Sequence, residues 1–219
     1  MIITASDIWS RGIQKGQFKN SMMAKAHITV GMAAAFMITR PDSVPEMLPV
    51  ITGASLGCLI CDIDCEVKAE RADSSRWRKV MALVAAVALI EDHLLDAGMW
   101  RSIGENGKYL WFAGVVGFVL TCTFASISAH RGFSHSLPAM LLETISLWLV
   151  FPTAALPFAI AFASHLVLDL TNMKSIRLFY PAKKGVSLGW FHADGLANRL
   201  TASIGSIWLI AELVAAMRS

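Results

Sequence analysis

The chain has 219 residues, of which 55% are hydrophobic and 16% charged, and its formal net charge is +3. Because soluble domains carry about 25% charged residues, this composition excludes a disordered, collagen-like or ordinary soluble protein and indicates a protein of the lipid bilayer. The small net charge gives no electrostatic field for nucleic acid, so we expect no nucleic-acid partner.

Seven apolar stretches follow one another along the chain. They cover approximately residues 24–39, 47–61, 79–95, 109–129, 137–151, 155–171 and 197–217. The fourth is a run of 21 uncharged residues, long enough for a spanning helix, whereas the uncharged runs of the first three are shorter and typical of buried or re-entrant helices. Pro152 and Pro157 are expected to divide the uncharged run 144–164 into two helices. The sequence therefore predicts an all-α, polytopic helical membrane protein with about four to seven hydrophobic helices.

Lysine and arginine are distributed unevenly between the two ends of these stretches. If all seven stretches cross the bilayer, the side that carries the N-terminus holds 15 of the 19 basic residues and the other side holds four. Cytoplasmic loops carry the excess of lysine and arginine. We therefore expect the N-terminal side to face the cytoplasm.

Ionisable residues gather at the ends of four of the apolar stretches. They are His27 at the start of the first, Asp62 and Asp64 at the end of the second, His130 and His135 just after the fourth, and His165 and Asp169 near the end of the sixth. Under alternating crossings all of these residues lie on the cytoplasmic side. Ionisable groups at membrane depth are costly and are functional by default. The pattern predicts a metal site at the cytoplasmic ends of the helices.

The spacing within the set fits metal ligation, although each pair alone is a weak signal. His165 and Asp169 are four residues apart and project from one face of a helix. Asp62 and Asp64 are two apart at a helix end, where one can bind an ion while the other acts as a base or a supporting partner. Imidazole and carboxylate ligands together favour Zn, with Mn or Fe as alternatives, over Ca. We expect one or two divalent ions.

Several motifs also resemble a known family. They read KAHITVG at 25–31, CLICDID at 58–64, HRGFSHS at 130–136, SHLVLD at 164–169 and LFYP at 178–181. In this order they are similar to the YdjM-type family, whose members are described as inner-membrane-associated, metal-dependent hydrolases that act like phospholipases. The resemblance covers roughly residues 22–190. It implies metal ligands at His27, Asp62, Asp64, His130, His135, His165 and Asp169, and a multi-pass location in a bacterial-type inner membrane.

The chain departs from the family pattern in two places. Cys61 and Cys65 stand where the family usually has proline and histidine, and Cys65 is either a thiolate ligand or a tolerated replacement. The family also starts a few residues before its first histidine, so residues 1–21 form a polar extension to a single membrane domain at 22–219. Met22 or Met23 offers an alternative start, in which case the extension is not translated.

The residues alone predict a metal site without naming a reaction, and the resemblance implies a hydrolase in which a metal-activated water acts on a phosphoester. Asp64 or His130 would serve as the general base or acid, and Arg131 would bind and stabilise the phosphate. The residues expected to contact the substrate are Arg131, Ser134, Lys183 and Lys184. The two lysines either attract anionic lipid headgroups or only set the topology. We expect membrane lipids as partners and a small-molecule or lipid phosphoester as substrate.

Two other functions remain open at this stage. One is a non-enzymatic membrane protein with a structural metal site, and the other is an ion or solute transporter lined by the same ionisable residues. His192 is expected to be a loop residue without a role. For Glu143, extension of its carboxylate to the membrane interface and a functional role explain its place in an apolar stretch equally well. The sequence makes no prediction of the oligomeric state.

Overall fold

The computed structural model describes residues 25–64, 79, 82–83, 86–87, 89–90, 92–94, 100–129, 131–192 and 195–218. Its helices are α1 (Lys25–Thr39), α2 (Val44–Ile60), α3 (Arg101–Asn106), α4 (Lys108–Ile127), α5 (Leu137–Val150), α6 (Pro152–Thr171) and α7 (Leu196–Ala216). Short 3-10 turns at Cys61–Asp64 and Phe133–His135 follow α2 and precede α5. The described positions between 79 and 94 are also helical. The predicted all-α fold is confirmed.

Four of the described helical segments are long and apolar enough to cross a membrane. They are Val44–Ile63, Lys108–Ile127, Pro152–Thr171 and Leu196–Ala216, with mean hydropathies between 1.4 and 2.0. The helices α1 and α5 are apolar but shorter. These segments agree with the predicted helical membrane protein. Of the predicted stretch 79–95, only residues 79, 82–83, 86–87, 89–90 and 92–94 are described.

Local sequence explains where α5 and α6 begin. The hydroxyl of Ser136 caps α5 by accepting a hydrogen bond from the amide of Ala139 at 3.3 Å. Pro152 occupies the first position of α6, where its missing N–H leaves no hydrogen bond unmade. The predicted break at Pro152 is therefore confirmed. A break at Pro157 is wrong, because α6 continues through this residue to Thr171.

The helices α2 and α6 form the tightest contact in the core. A Cβ atom on Gly53 would lie 2.2 Å from the carbonyl oxygen of Ala154, and one on Gly57 would lie 2.3 Å from that of Phe158. Because the glycines are one helical turn apart, they open a groove that admits the backbone of α6. The contact packs the N-terminal half of α6 against the C-terminal half of α2.

The outer faces of α4 and α7 are apolar and exposed. On α4 they include Leu110, Phe112, Val119, Leu120 and Ile127, and on α7 they include Leu196, Leu200, Ile204, Ile207 and Ile210. Water would oppose the exposure of such large apolar surfaces, whereas lipid chains accommodate them. This distribution fits helices that face the bilayer.

One end of the bundle, which we call the site end, collects the start of α1 and the end of α2. The thiol of Cys58 there donates a hydrogen bond to the carbonyl of His27 at 3.3 Å. At the opposite end Thr39, Pro45 and Pro152 line one pocket. The helix α1 runs away from the site end, whereas α2 and α6 run towards it. The predicted alternation of all seven stretches stays a prediction.

The loop from residue 172 to 192 covers the site end. The amide of Leu137 donates to the carbonyl of Leu178 at 2.9 Å, and the amide of Arg177 donates to the carbonyl of Arg131 at 3.1 Å. Ile176 anchors the loop because its side chain is fully buried. These contacts tie the loop to the segment that connects α4 with α5.

Glu143 does not reach the membrane interface. Its side chain, on α5, is 1% exposed, and its Oε2 atom has no hydrogen-bond partner within the described residues. Of the two explanations that the sequence left open for Glu143, extension of its carboxylate to the interface is therefore wrong. The cause is the packing of α5 against α4 and α6, which turns this face of α5 inward.

Candidate metal centre

Side chains from four separate segments converge at the site end. They are His27 on α1, Asp62 in the turn after α2, His135 in the turn before α5, and His165 and Asp169 on α6. Two overlapping groups can hold a metal ion: the first is formed by His27, His165 and Asp169, and the second by Asp62, His135 and His165. Within each group the ligand atoms lie within 4.8 Å of one another. His165 belongs to both groups.

Asp169 lies at the middle of the cluster. Its Oδ2 atom is 3.2 Å from Nε2 of His135 and 3.7 Å from Nε2 of His165. Its Oδ1 atom is 3.7 Å from Nε2 of His27 and 3.4 Å from a terminal nitrogen of Arg131. The carboxylate is thus buried, with Oδ2 turned towards His135 and His165 and Oδ1 towards His27 and Arg131.

The main chain of α2 orients the ring of His165. The Nδ1 atom lies 2.9 Å from the carbonyl oxygen of Cys58. Since a carbonyl can only accept, Nδ1 carries the proton and Nε2 keeps its lone pair. That Nε2 atom is buried, makes no hydrogen bond with any described residue, and lies 3.9 Å from Oδ1 of Asp62. A buried lone pair beside carboxylate oxygens suits a cation, so the residues fit a bound metal.

His27 stacks on the ring of His165. The ring centroids are 3.9 Å apart and the planes differ by 14°. The thiol of Cys58 donates a hydrogen bond to the carbonyl of His27, and the carbonyl of Cys58 accepts one from the ring of His165. A single residue of α2 therefore fixes two candidate ligands that come from different helices.

His135 and Ser134 form a buried pair in the turn before α5. Each is 1% exposed, and the Ser134 hydroxyl lies 2.8 Å from Nδ1 of His135. The other ring nitrogen, Nε2, faces Asp169 and lies 3.9 Å from Oδ1 of Asp62. The position of Ser134 is that of a residue that orients the imidazole. Its predicted contact with substrate stays a prediction.

Arg131 links the centre to the loop that covers it. One terminal nitrogen donates to the carbonyl of Lys174 at 2.7 Å, and the other faces Oδ1 of Asp169. Its backbone has φ 59°, in the left-handed region that non-glycine residues seldom adopt. The guanidinium balances the charge of Asp169, and its predicted role towards a phosphate stays a prediction.

The remaining predicted residues are placed as follows. His130 and Cys65 lie outside the described residues, and only the backbone of Asp64 is described. Lys183 and Lys184 are exposed on the covering loop and do not join the cluster. Cys61 is buried, and its thiol lies 3.9 Å from the carbonyl of Gly57.

Two residues at the centre were not predicted from the sequence. Asn172 donates from Nδ2 to Oδ1 of Asp169 at 2.9 Å, and Cys58 contributes the contacts described above. Asn172 lies three residues after the candidate ligand Asp169, at the end of a helix. This spacing could have been used to predict its contact with Asp169. The carbonyl of Cys58 offered no such signal, because every residue has a carbonyl.

The fold and the cluster define a helical membrane protein with a candidate metal site. Residues 22–217 match the YdjM inner membrane protein family, and the chain belongs to that family. The match covers every predicted ligand and confirms the resemblance seen in the sequence. Neither the curated proteins nor the solved structures compared with the chain include a significant match.

Proposed function

We propose that this protein is a membrane-embedded, metal-dependent hydrolase that cleaves a phosphoester. The observation that carries the proposal is the pair of overlapping ligand groups, each of which offers three protein ligands among the described residues. Three protein ligands with one further position open are typical of catalytic zinc sites, whereas structural zinc sites are closed by four. The preferred ion is Zn, with Mn or Fe as alternatives, and one or two ions are expected.

The proposed ion would supply a nucleophilic hydroxide near neutral pH and polarise a phosphoryl oxygen. The residues of the chain would hold and orient the reacting groups. Asp64 or His130 would accept or return a proton, and Arg131 would neutralise charge on the phosphate from its place beside Asp169. Ser134 would keep the imidazole ring of His135 in a fixed orientation.

The substrate is proposed to be a phosphoester of a small molecule or a lipid. Exposed basic residues support a phosphate-bearing substrate, because Lys183 and Lys184 lie on the loop that covers the site end. Exposed aromatic residues on the same loop, Phe179 and Trp190, support a location at the membrane surface. Membrane lipids are therefore proposed as partners.

A transporter is less well supported than an enzyme. An ion path through the bundle needs polar groups that continue from the centre to the opposite end. Between the two ends, the α2–α6 contact is filled by Ala154, Phe158 and Phe162, each fully buried. A structural metal site remains the alternative to the enzyme. A measurement of hydrolytic activity distinguishes these two functions.

The protein is proposed to cross the inner membrane several times with the metal centre on the cytoplasmic side. The excess of basic residues on the N-terminal side supports this orientation. The alternating helix directions are consistent with it, because the start of α1 and the ends of α2 and α6 meet at one end.

The test combines elemental analysis with a phosphodiester hydrolysis assay on the same detergent-purified samples. We expect stoichiometric metal and turnover in the wild-type protein, and loss of both in His165→Ala and Asp169→Ala. His93→Ala is the matched control, because His93 is exposed and belongs to neither ligand group. Metal without turnover would support a structural site and overturn the enzyme, and a folded protein without metal would overturn the centre itself.

A further inference from the structure

A large pocket lies at the end of the bundle opposite the metal centre, and we call it the proline pocket. Its volume is about 560 Å³, within the range of about 300–1,000 Å³ that is usual for ligand sites. The prolines that line it are Pro41, Pro45, Pro49, Pro152 and Pro157. The pocket is thus large enough for a ligand and is formed by the end of α1 and the starts of α2, α3 and α6.

The wall of the proline pocket is mostly apolar and is exposed at the surface of the bundle. Ile38 on α1 and Leu156 on α6 both line it, and their side chains are 54% and 57% exposed. Proline presents a rigid ring and has no amide hydrogen, so the five prolines add apolar surface without backbone donors. Exposed apolar surface of this kind is covered by lipid chains in a membrane protein. The wall therefore suits an occupant with a hydrocarbon chain.

Two side chains of opposite charge also line the proline pocket. Glu46 comes from the first turn of α2 and Arg101 from the first position of α3, and both are exposed. The carboxylate of Glu46 accepts a hydrogen bond from the amide of Asp42 at 3.3 Å and has further lone pairs to offer. A guanidinium has five N–H donors and can bind an anion while it holds another partner. The polar part of an occupant therefore meets one negative and one positive group.

A main-chain acceptor lies on the same side of the pocket as Glu46. Pro49 is inside α2 and has no N–H to give to the carbonyl of Pro45, four residues earlier. A helical carbonyl points along the axis towards the residue four positions further on, and both prolines line the pocket. The carbonyl of Pro45 is thus directed along this wall, where a cation with several hydrogens can bond to it and to Glu46.

The surroundings of Arg101 indicate the depth of lipid headgroups. Trp100 precedes it, is 50% exposed and stacks on Trp111 with the ring centroids 6.2 Å apart. Exposed tryptophans are enriched at the boundary between membrane and water. A guanidinium at this depth is in reach of a lipid phosphate.

We propose that the proline pocket binds phosphatidylethanolamine, a phospholipid whose headgroup carries one phosphate and one ammonium group. Arg101 holds the phosphate, Glu46 and the carbonyl of Pro45 hold the ammonium group, and the prolines contact an acyl chain. An anionic phospholipid without an amine is disfavoured, because its headgroup offers Glu46 no positive partner. The bound lipid belongs to the leaflet opposite to that of the metal centre. Its binding does not depend on the hydrolytic function proposed above, because none of the candidate metal ligands is among the described residues that line the pocket.

The test is a measurement of retained lipid by native mass spectrometry. The full-length protein is released from nanodiscs that contain equal amounts of phosphatidylethanolamine and phosphatidylglycerol, and metal content is measured on the same samples. We expect the wild-type protein to retain a phosphatidylethanolamine molecule and to prefer it over phosphatidylglycerol by about fivefold, the scale of one exposed charge pair.

Two substitutions separate the contributions of the two charges. Glu46→Gln removes the charged partner of the ammonium group, so the preference for phosphatidylethanolamine should disappear. Arg101→Gln removes the partner of the phosphate, which both lipids carry, so the retention of both should fall by about fivefold. The metal content of both variants should equal that of the wild type.

The matched controls are Glu105→Gln and Arg199→Gln, at exposed residues of α3 and α7 that do not line the pocket. Both should retain lipid like the wild type, and an equal loss of preference in Glu105→Gln and Glu46→Gln would overturn the proposal. A wild-type protein without retained lipid would overturn it, as would a preference for phosphatidylethanolamine that survives Glu46→Gln. A dimer that carries no lipid would assign the pocket to a second copy of the chain instead.

Discussion

The carbonyl oxygen of Cys58 and Nδ1 of His165 are 2.9 Å apart. This hydrogen bond joins the last turn of α2 to α6 and directs the other ring nitrogen of His165 into the ligand cluster. Cys58 also holds His27 through its thiol. The geometry of the candidate metal centre therefore depends on main-chain positions, and the tight α2–α6 packing that sets them is part of the site.

Replacement of the central carboxylate should strongly weaken metal binding. Asp169→Asn keeps the size of the side chain but removes the charge that faces three histidines. Since partners that only support a ligand already contribute about 10–100-fold to metal affinity, we expect the affinity to fall by at least about 100-fold. Titration with a competing chelator measures it, and Asp42→Asn, at an exposed aspartate, is the control. Unchanged affinity in Asp169→Asn would remove this residue from the centre.

The role of Ser134 can be separated from that of a substrate-binding residue. Ser134→Ala removes the hydroxyl beside Nδ1 of His135, so the metal affinity should fall by about 10–100-fold. Ser126→Ala is the matched control, because Ser126 is a serine of α4 whose hydroxyl donates to the carbonyl of Thr123. If KM rises in Ser134→Ala while the metal affinity holds, the residue contacts substrate and the orienting role is wrong.

The guanidinium of Arg131 should matter for turnover. Arg131→Lys keeps the charge and the unusual backbone position, but an ammonium cannot present two planar donors to Lys174 and Asp169 together. We expect metal to be retained and kcat to fall by about tenfold or more, the scale of one lost charge-stabilising contact. Arg177→Lys, on the exposed loop, should behave like the wild type. A normal kcat in Arg131→Lys would show that charge alone suffices.

The glycines of α2 should set the stability of the bundle. A Cβ at Gly57 meets the backbone of α6, which cannot move aside as a side chain can. Gly57→Ala is therefore expected to destabilise the protein by about 1–3 kcal/mol, seen as a lower thermal midpoint in detergent. Gly104→Ala is the control, since no atom lies within 4 Å of its added Cβ. Equal midpoints for the two variants would contradict the close α2–α6 contact.

The position of the C-terminus tests the proposed orientation. Ala215 and Ala216 at the end of α7 line a pocket with Phe36 and Arg40, at the end of the bundle opposite the metal centre. If the centre faces the cytoplasm, the C-terminus lies on the other side of the membrane. Alkaline phosphatase fused after Ser219 should then be active, and a fluorescent protein fused there should be dark. The reverse pattern would place the centre outside the cytoplasm.

Sequence patterns were informative where side-chain type and helix position act together. Asp169 lies four residues after His165, and the expected alternation of helices placed both with His27 at one end, where they are found. The same reasoning failed for Pro157, because a helix packed among other membrane helices can continue through a proline. It also did not settle Glu143, because the packing that buries this residue cannot be seen in a single sequence.

The contacts of Cys58 show a second limit. They arise from the mutual placement of helices, and a glycine groove such as that at Gly53 and Gly57 indicates close approach without saying which helix approaches. The predicted roles of Asp64, His130, Lys183 and Lys184 stay predictions.

The candidate ligands are spread from His27 to Asp169, a feature that also orders events during biosynthesis. The first ligand leaves the ribosome long before the last, and neither ligand group is complete until α6 is in place. Because metal binding to such a site is coupled to folding, an ion held by the candidate ligands would enter only after most of the helices have inserted and packed. Insertion would then come first and metal loading last, so a truncated or stalled chain would lack a complete ligand group.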